Sequence, residues 1–135
     1  MSTLQYQAET AGLHVSVIPR FMPEASNIER DRYVWSYEIT IQNRSPDTVQ
    51  LLARYWRITD QAGSTQEVRG PGVVGETPTI APGDSYSYTS ACPLSTPSGV
   101  MLGAYQMRRL RDNQAFEIAV PAFALESPHA KRLAN

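Results

Sequence analysis

The sequence predicts an all-β fold, an antiparallel β-sandwich of about seven to eight strands, on three observations. Apolar residues recur with period two, most clearly at Tyr33, Trp35, Tyr37, Ile39 and Ile41, which alternate with Val34, Ser36, Glu38, Thr40 and Gln42. Turn-forming residues such as Asn43 to Asp47, Asp60 to Gly63 and Pro82-Gly83 separate these runs at short intervals. No stretch of twelve or more residues carries the stripe of an amphipathic helix.

Taken in order, Leu13, Val15 and Val17 make a first short alternating run, with His14 on its polar side. Pro23 to Arg32 has room for one short turn of helix. Tyr33 to Gln42 is the strongest strand. Val49 to Asp60 follows with a slipped pattern: Leu51 and Leu52 are adjacent, then Trp56 and Ile58 share a side, which a bulge explains. Asp60-Gln61-Ala62-Gly63 reads as a hairpin loop with glycine at its left-handed position. Thr65 to Arg69 is polar and edge-like, Thr79-Ile80 is short, and Ser85 to Ser90 alternates again. Pro93 to Gly99 reads as a loop and Val100 to Met107 as a strand. The last strand shifts phase at Pro121, where a proline belongs to an edge or bulge. Strands of this length and spacing resemble an immunoglobulin or fibronectin type III domain, with Trp35 or Trp56 in its core.

One domain is expected over residues 1–135, with a loose N-terminus over about 1–10 and a polar tail over about 127–135. Such a chain buries about two thirds of its unfolded surface. The 41% hydrophobic and 19% charged shares are those of ordinary soluble protein. No apolar run approaches the roughly 20 residues of a membrane helix, and Met1 to Tyr6 carries no secretory pattern. A cytoplasmic location and no membrane contact are expected. Net charge is −1, so no nucleic-acid partner is expected. The one basic cluster, Arg108-Arg109-Leu110-Arg111, reads as a solvated hairpin end, with a phosphate contact as the lesser alternative.

The run from Glu67 to Glu76 has dinucleotide-fingerprint spacing, with Gly70, Gly72 and Gly75. Its context is wrong. The lead-in from Ser64 is too polar for a buried parallel strand. Pro78 and Pro82 exclude the helix whose N-terminus would hold a pyrophosphate. A small anion nest formed by Gly70, Gly72 and Gly75 beside Arg69 stays open as an alternative. Otherwise the loop joins two strands, and Val73 and Val74 face either the core or a partner.

No catalytic constellation is visible. His14 and His129 are the only histidines, neither beside a nucleophile signature. Cys92 is the only cysteine and reads as a small buried hydrophobe. Carboxylates are scattered singly, so no metal site and no cofactor are expected, although folding could still bring ligands together. Val73, Val74, Pro78 and Leu94 are the candidates for a partner-facing surface. The oligomeric state is not written in the sequence.

Four runs resemble the ApaG family: Val49 to Asp60, Glu67 to Glu76, Tyr88 to Gly99, and Pro121 to Leu125. The resemblance spans the chain from about Leu13 to the C-terminus. It implies a fibronectin type III-like sandwich, a link in bacteria to cobalt resistance and magnesium efflux, and no catalytic residues. Similar domains in eukaryotes are appended to F-box proteins and to a DNA-polymerase-delta-interacting protein, where a protein-binding role is implied. The expectation is therefore a non-catalytic protein–protein interaction module. A phosphate or nucleotide binder and a divalent-metal binder remain as alternatives.

Overall fold

The computed structural model describes residues 5–130. Among these, nine strands follow in the order β1 (Tyr6–Thr10), β2 (Leu13–Phe21), β3 (Tyr33–Asn43), β4 (Val49–Asp60), β5 (Thr65–Pro71), β6 (Thr79–Ile80), β7 (Ser85–Leu94), β8 (Ser98–Arg109) and β9 (Gln114–Glu126). Two 3-10 turns, Pro23–Ala25 and Ile28–Arg30, occupy the short helical interval expected there. One sheet has the order β1-β2-β3-β7. The other has β5-β4-β8-β9, with β6 beside the start of β4. All ladders are antiparallel.

The core lies between the sheets and follows the period-two pattern. Tyr33, Trp35, Tyr37, Ile39 and Ile41 of β3 are all buried, against Leu13, Val15 and Val17 of β2. Both tryptophans are inside. Trp35 reaches across to the end of β9, where its Nε1 donates to the Glu126 carbonyl at 2.8 Å. The phenols of Tyr88 and Tyr105 join the two sheets through a hydrogen bond of 2.5 Å. Burial pushes both far above the ordinary phenol range, so both stay neutral.

Two irregularities fall where the patterns slip. Leu52 is the extra residue of a bulge between Leu51 and Ala53 of β4, which carries Arg54, Trp56 and Ile58 onto the inner face. The β8–β9 register shifts between Met101 and Gly103, opposite Pro121. Gly103 lies directly across from Trp56. A Cβ there would press on the Tyr55 carbonyl and the indole edge. Gly103→Ala should therefore destabilise by about 1–3 kcal/mol through overpacking, measured by urea denaturation.

Three expectations need correction. Tyr6–Thr10 is not loose: it forms β1, paired with Leu13 to Val17, and its Tyr6 ring packs on Phe123. The run from Pro93 to Gly99 is not all loop, because β7 continues through Pro93 to Leu94 and β8 begins at Ser98. Pro93 is tolerated because β7 is an edge strand, so its missing N–H breaks no sheet. The start of the polar tail is held. Ser127 Oγ donates to the Pro97 carbonyl at 2.6 Å, and the His129 ring packs edge-on against Phe21. The remainder of the expected tail, 131–135, lies outside the described residues, as do residues 1–4 of the expected loose N-terminus.

The sandwich is closed on one long side and open on the other. On the closed side β1 and β2 pack on β9, and Thr10 Oγ1 accepts from the Ala119 N–H at 3.2 Å. On the open side β5 and β7 are the free edges of their sheets.

Candidate functional site

The glycine run sits at the open side, and its geometry is that of a tight hairpin. β5 ends at Pro71. Gly72, at φ +59, donates to the carbonyl of the bulge residue Leu52 at 2.8 Å. Val73 and Glu76 then exchange both backbone hydrogen bonds, each at 2.8 Å, around Val74 and Gly75. With φ of +43 and +82 those two residues form the left-handed pair of a type I′ turn. No helix follows. The N–H groups of Gly72, Val73 and Glu76 are spent on carbonyls, so they do not converge on an anion.

The predicted site residues separate. Val73, expected on a partner-facing surface, is 0% exposed and belongs to the core; the tight turn folds it inward and turns its neighbour out. Val74 is 55% exposed. Pro78 is half-buried, its carbonyl accepting from Leu51 N–H at 3.0 Å. Leu94 is half-buried and packs against the core. Arg69 is turned away from the loop: it lies 4.3 Å over the Tyr55 ring on the outer face and is 74% exposed. Gly75 has open space where a side chain would be, whereas Gly70 lies against a guanidinium.

That guanidinium belongs to Arg54, which sequence reasoning missed. Its Nη1 donates to the carbonyls of Pro71 at 2.8 Å and Gly72 at 3.0 Å. A Cβ on Gly70 would meet Arg54 Nη2 at 2.9 Å and Cζ at 3.0 Å, so only glycine admits the flat group there. The available signal was parity, since Arg54 shares its inner face with Trp56 and Ile58.

Arg54 lines two adjoining hollows between β5 and β7. One, of about 190 Å³, is bounded by Val73 to Gly75, Tyr88 and Ser90. The other, of about 260 Å³, is bounded by Ile58, Val68, Met101 and the run Ser90 to Pro93. Tyr37, Trp56 and Ser90 are common to both. Burial raises the Tyr37 phenol, against the pull of the adjacent Ser90 hydroxyl. Burial also pushes the Cys92 thiol up to about 11, so at neutral pH it is a small apolar wall and not a nucleophile.

Val74 carries backbone strain. A β-branched residue at positive φ is a steric outlier, whereas asparagine suits that turn position. Val74→Asn should raise stability by about 1 kcal/mol, read from the denaturation midpoint.

A further hollow of about 170 Å³ lies among the turns at one end, lined by Ala11, Leu13, Asp47, Arg109 and Phe116. Its charges are already matched. Arg109 pairs with Asp112 at 2.6 Å and Arg111 with Asp47 at 2.7 Å. Two of the cluster's three arginines are thus paired, and Arg108 donates to the Asn113 and Gln50 side-chain carbonyls. The Arg109 hydrogen bond holds the Asp112 carboxyl down at about 2, below its ordinary 3.8. A depressed carboxylate contributes stability above its ordinary value and loses it as pH falls through the folded one. The contribution should vanish between about pH 4 and 2. An NMR titration should show Asp112 returning toward the ordinary value in Arg109→Gln.

Among the described residues no three His, Cys, Asp or Glu side chains group as metal ligands, and no helix is long and apolar enough to cross a membrane.

Comparison with known proteins agrees with this architecture. The chain is 55% identical over 130 residues to Protein ApaG of Mesorhizobium japonicum, covering 96% of this chain and 99% of that one. Protein ApaG of Brucella anthropi is 54% identical over the same lengths. A crystal structure from Bordetella pertussis, described as ApaA, superposes with TM-score 0.83 at 42% identity, covering 87% of this chain and 95% of the other. The C-terminal domain of wzt shares the fold alone, with TM-score 0.55 at 10% identity over 90% of this chain and 77% of that one. The ApaG domain profile matches residues 23–109. The chain belongs to the ApaG domain family.

Proposed function

We propose that the chain is a non-catalytic, cytoplasmic protein-binding module that captures an extended segment of a partner along the open side. The observation that carries this is the β7 edge. Among the described residues nothing pairs with the outer rim of Ser85–Leu94, ten residues without a charged side chain. Exposed edges are ordinarily guarded by lysines, prolines or brevity, because unpaired N–H and C=O groups recruit another strand. β7 has only Pro93 near its end. The opposite edge, β5, is guarded by Glu67 and Arg69 and stopped by Pro71. A strand added to β7 would gain affinity from main-chain hydrogen bonds and selectivity from side chains entering the cleft. The exposed apolar Val74 stands at one border of that cleft. The cleft's thiol and phenols keep their protons at neutral pH, in keeping with binding without catalysis. The family's tie to cobalt resistance and magnesium efflux would then run through the captured partner.

The test is selection from a random heptapeptide display library, followed by hydrogen exchange on the complexes. Bound peptides should slow exchange across Ser85–Leu94, and Thr89→Lys should abolish capture while melting is unchanged. Protection elsewhere, or concentration-dependent self-association blocked by the same variant, would overturn capture of a foreign segment.

A further inference from the structure

Resting on that reading, we propose that the cleft is a carboxylate site. The captured segment places an acidic group on Arg54 and, two residues away, an apolar side chain in the hollow walled by Trp56, Ile58, Val68 and Met101.

Arg54 is an inward-facing charge on a strand whose neighbouring inner residues, Trp56 and Ile58, are buried core. Arg54 is half-buried, so its guanidinium is reachable from the cleft and an opposite charge there would gain a charge-assisted hydrogen bond. Among the described residues no carboxylate lies within ion-pair distance of Arg54. Arg109 and Arg111, at the end of the sandwich, have such partners. Two backbone carbonyls hold Nη1, which fixes the fork's orientation without cancelling its charge. The group is thus aimed and has no carboxylate partner among the described residues, and Tyr37 and Ser90 line the same hollow.

The chemistry favours a monoanion. Arg54 is a single cation. The N–H groups of Gly72, Val73 and Glu76 are spent on carbonyls, and Arg69, the loop's second cation, faces the other side of the sheet. A planar guanidinium matches one carboxylate in a bidentate pair. The spacing also fits a strand. The two hollows follow each other along β7, one at Tyr88 to Ser90 and the next at Ser90 to Pro93. Residues i and i+2 of an added strand face the same side about 7 Å apart.

The display-selected peptides test this directly. The pool should be enriched in Asp or Glu with an apolar residue two positions away. The best binder, resynthesised with both ends blocked, is then titrated beside versions carrying Gln, or phosphoserine, in place of the acidic residue. A Gln version with a free C-terminal carboxylate completes the set. On the wild-type chain Gln should weaken binding by about tenfold or more. That difference should disappear on Arg54→Gln and be partly kept on Arg54→Lys. Rescue by the free C-terminus assigns a chain-terminal carboxylate, and no rescue assigns an acidic side chain; both support the site. Equal binding of the acidic and Gln peptides to the wild type, with β7 still protected, overturns the carboxylate site and leaves edge capture standing. Tighter binding of phosphoserine overturns the choice of carboxylate. A selection in which nothing protects β7 overturns edge capture itself. Because the Gln comparison is made on the intact wild type, an Arg54 variant that unfolds does not remove the decision.

Discussion

Replacing Trp56 with alanine should lower stability by about 3–5 kcal/mol, the usual cost of deleting a large buried aromatic. Trp56 is 3% exposed. It stands at a junction of rings from both sheets: edge-on to Tyr37 at 5.4 Å, and nearly perpendicular to Tyr105 and to Phe123, each at 6.2 Å. Edge-to-face pairs contribute beyond area burial, so losing three at once leaves a void that β3, β4, β8 and β9 cannot close together. The void would also open into the cleft, since Trp56 lines both hollows. Guanidinium denaturation measures the loss, and Trp56→Phe should recover part of it by keeping a ring. A loss under about 1 kcal/mol would show that the rings repack freely and that Trp56 is not a junction.

Gly72→Ala should cost about 2–5 kcal/mol, more than a left-handed glycine alone commands. The backbone at φ +59 penalises any Cβ by about 1–2 kcal/mol. Here the Cβ would also press on the Glu76 carbonyl oxygen, which overpacking places at about 1–3 kcal/mol more. That oxygen is the acceptor for Val73 N–H, so relieving the clash pulls the turn apart and Val73 out of the core. Thermal melting should fall accordingly. Gly75→Ala, with open space at its Cβ, should pay only the left-handed penalty. Equal losses for the two would show that the Glu76 carbonyl yields easily.

Much of the fold was legible because the core is written in alternation. The face of β3, the slip in β4 and the phase change at Pro121 are consequences of side chains pointing to opposite sides of a pleated strand, and each stands where the pattern put it. β1 was missed because Tyr6-Gln7-Ala8-Glu9-Thr10 alternates only between half-buried and exposed, so its polar residues hide the period. The site was less legible. Val73 and Val74 are chemically identical, and only the handedness of a two-residue turn sends one inward and the other out. Arg69 is next to the glycines in sequence but on the wrong face. Arg54 reaches them because Arg54 and Gly70 are cross-strand partners, a relation that no local window contains.

The unequal long sides of the sandwich bear on how such a module is wired to other proteins. The described chain enters through β1 and leaves through β9, and these two strands meet along the closed seam. The two ends differ: β1 begins against β9, where Tyr6 packs on Phe123, whereas the chain after β9 is held at the β7–β8 turn by Ser127 Oγ donating to the Pro97 carbonyl. An attachment made before β1 therefore starts from the closed seam, whereas one made after β9 starts beside the β7–β8 turn, next to the end of β7.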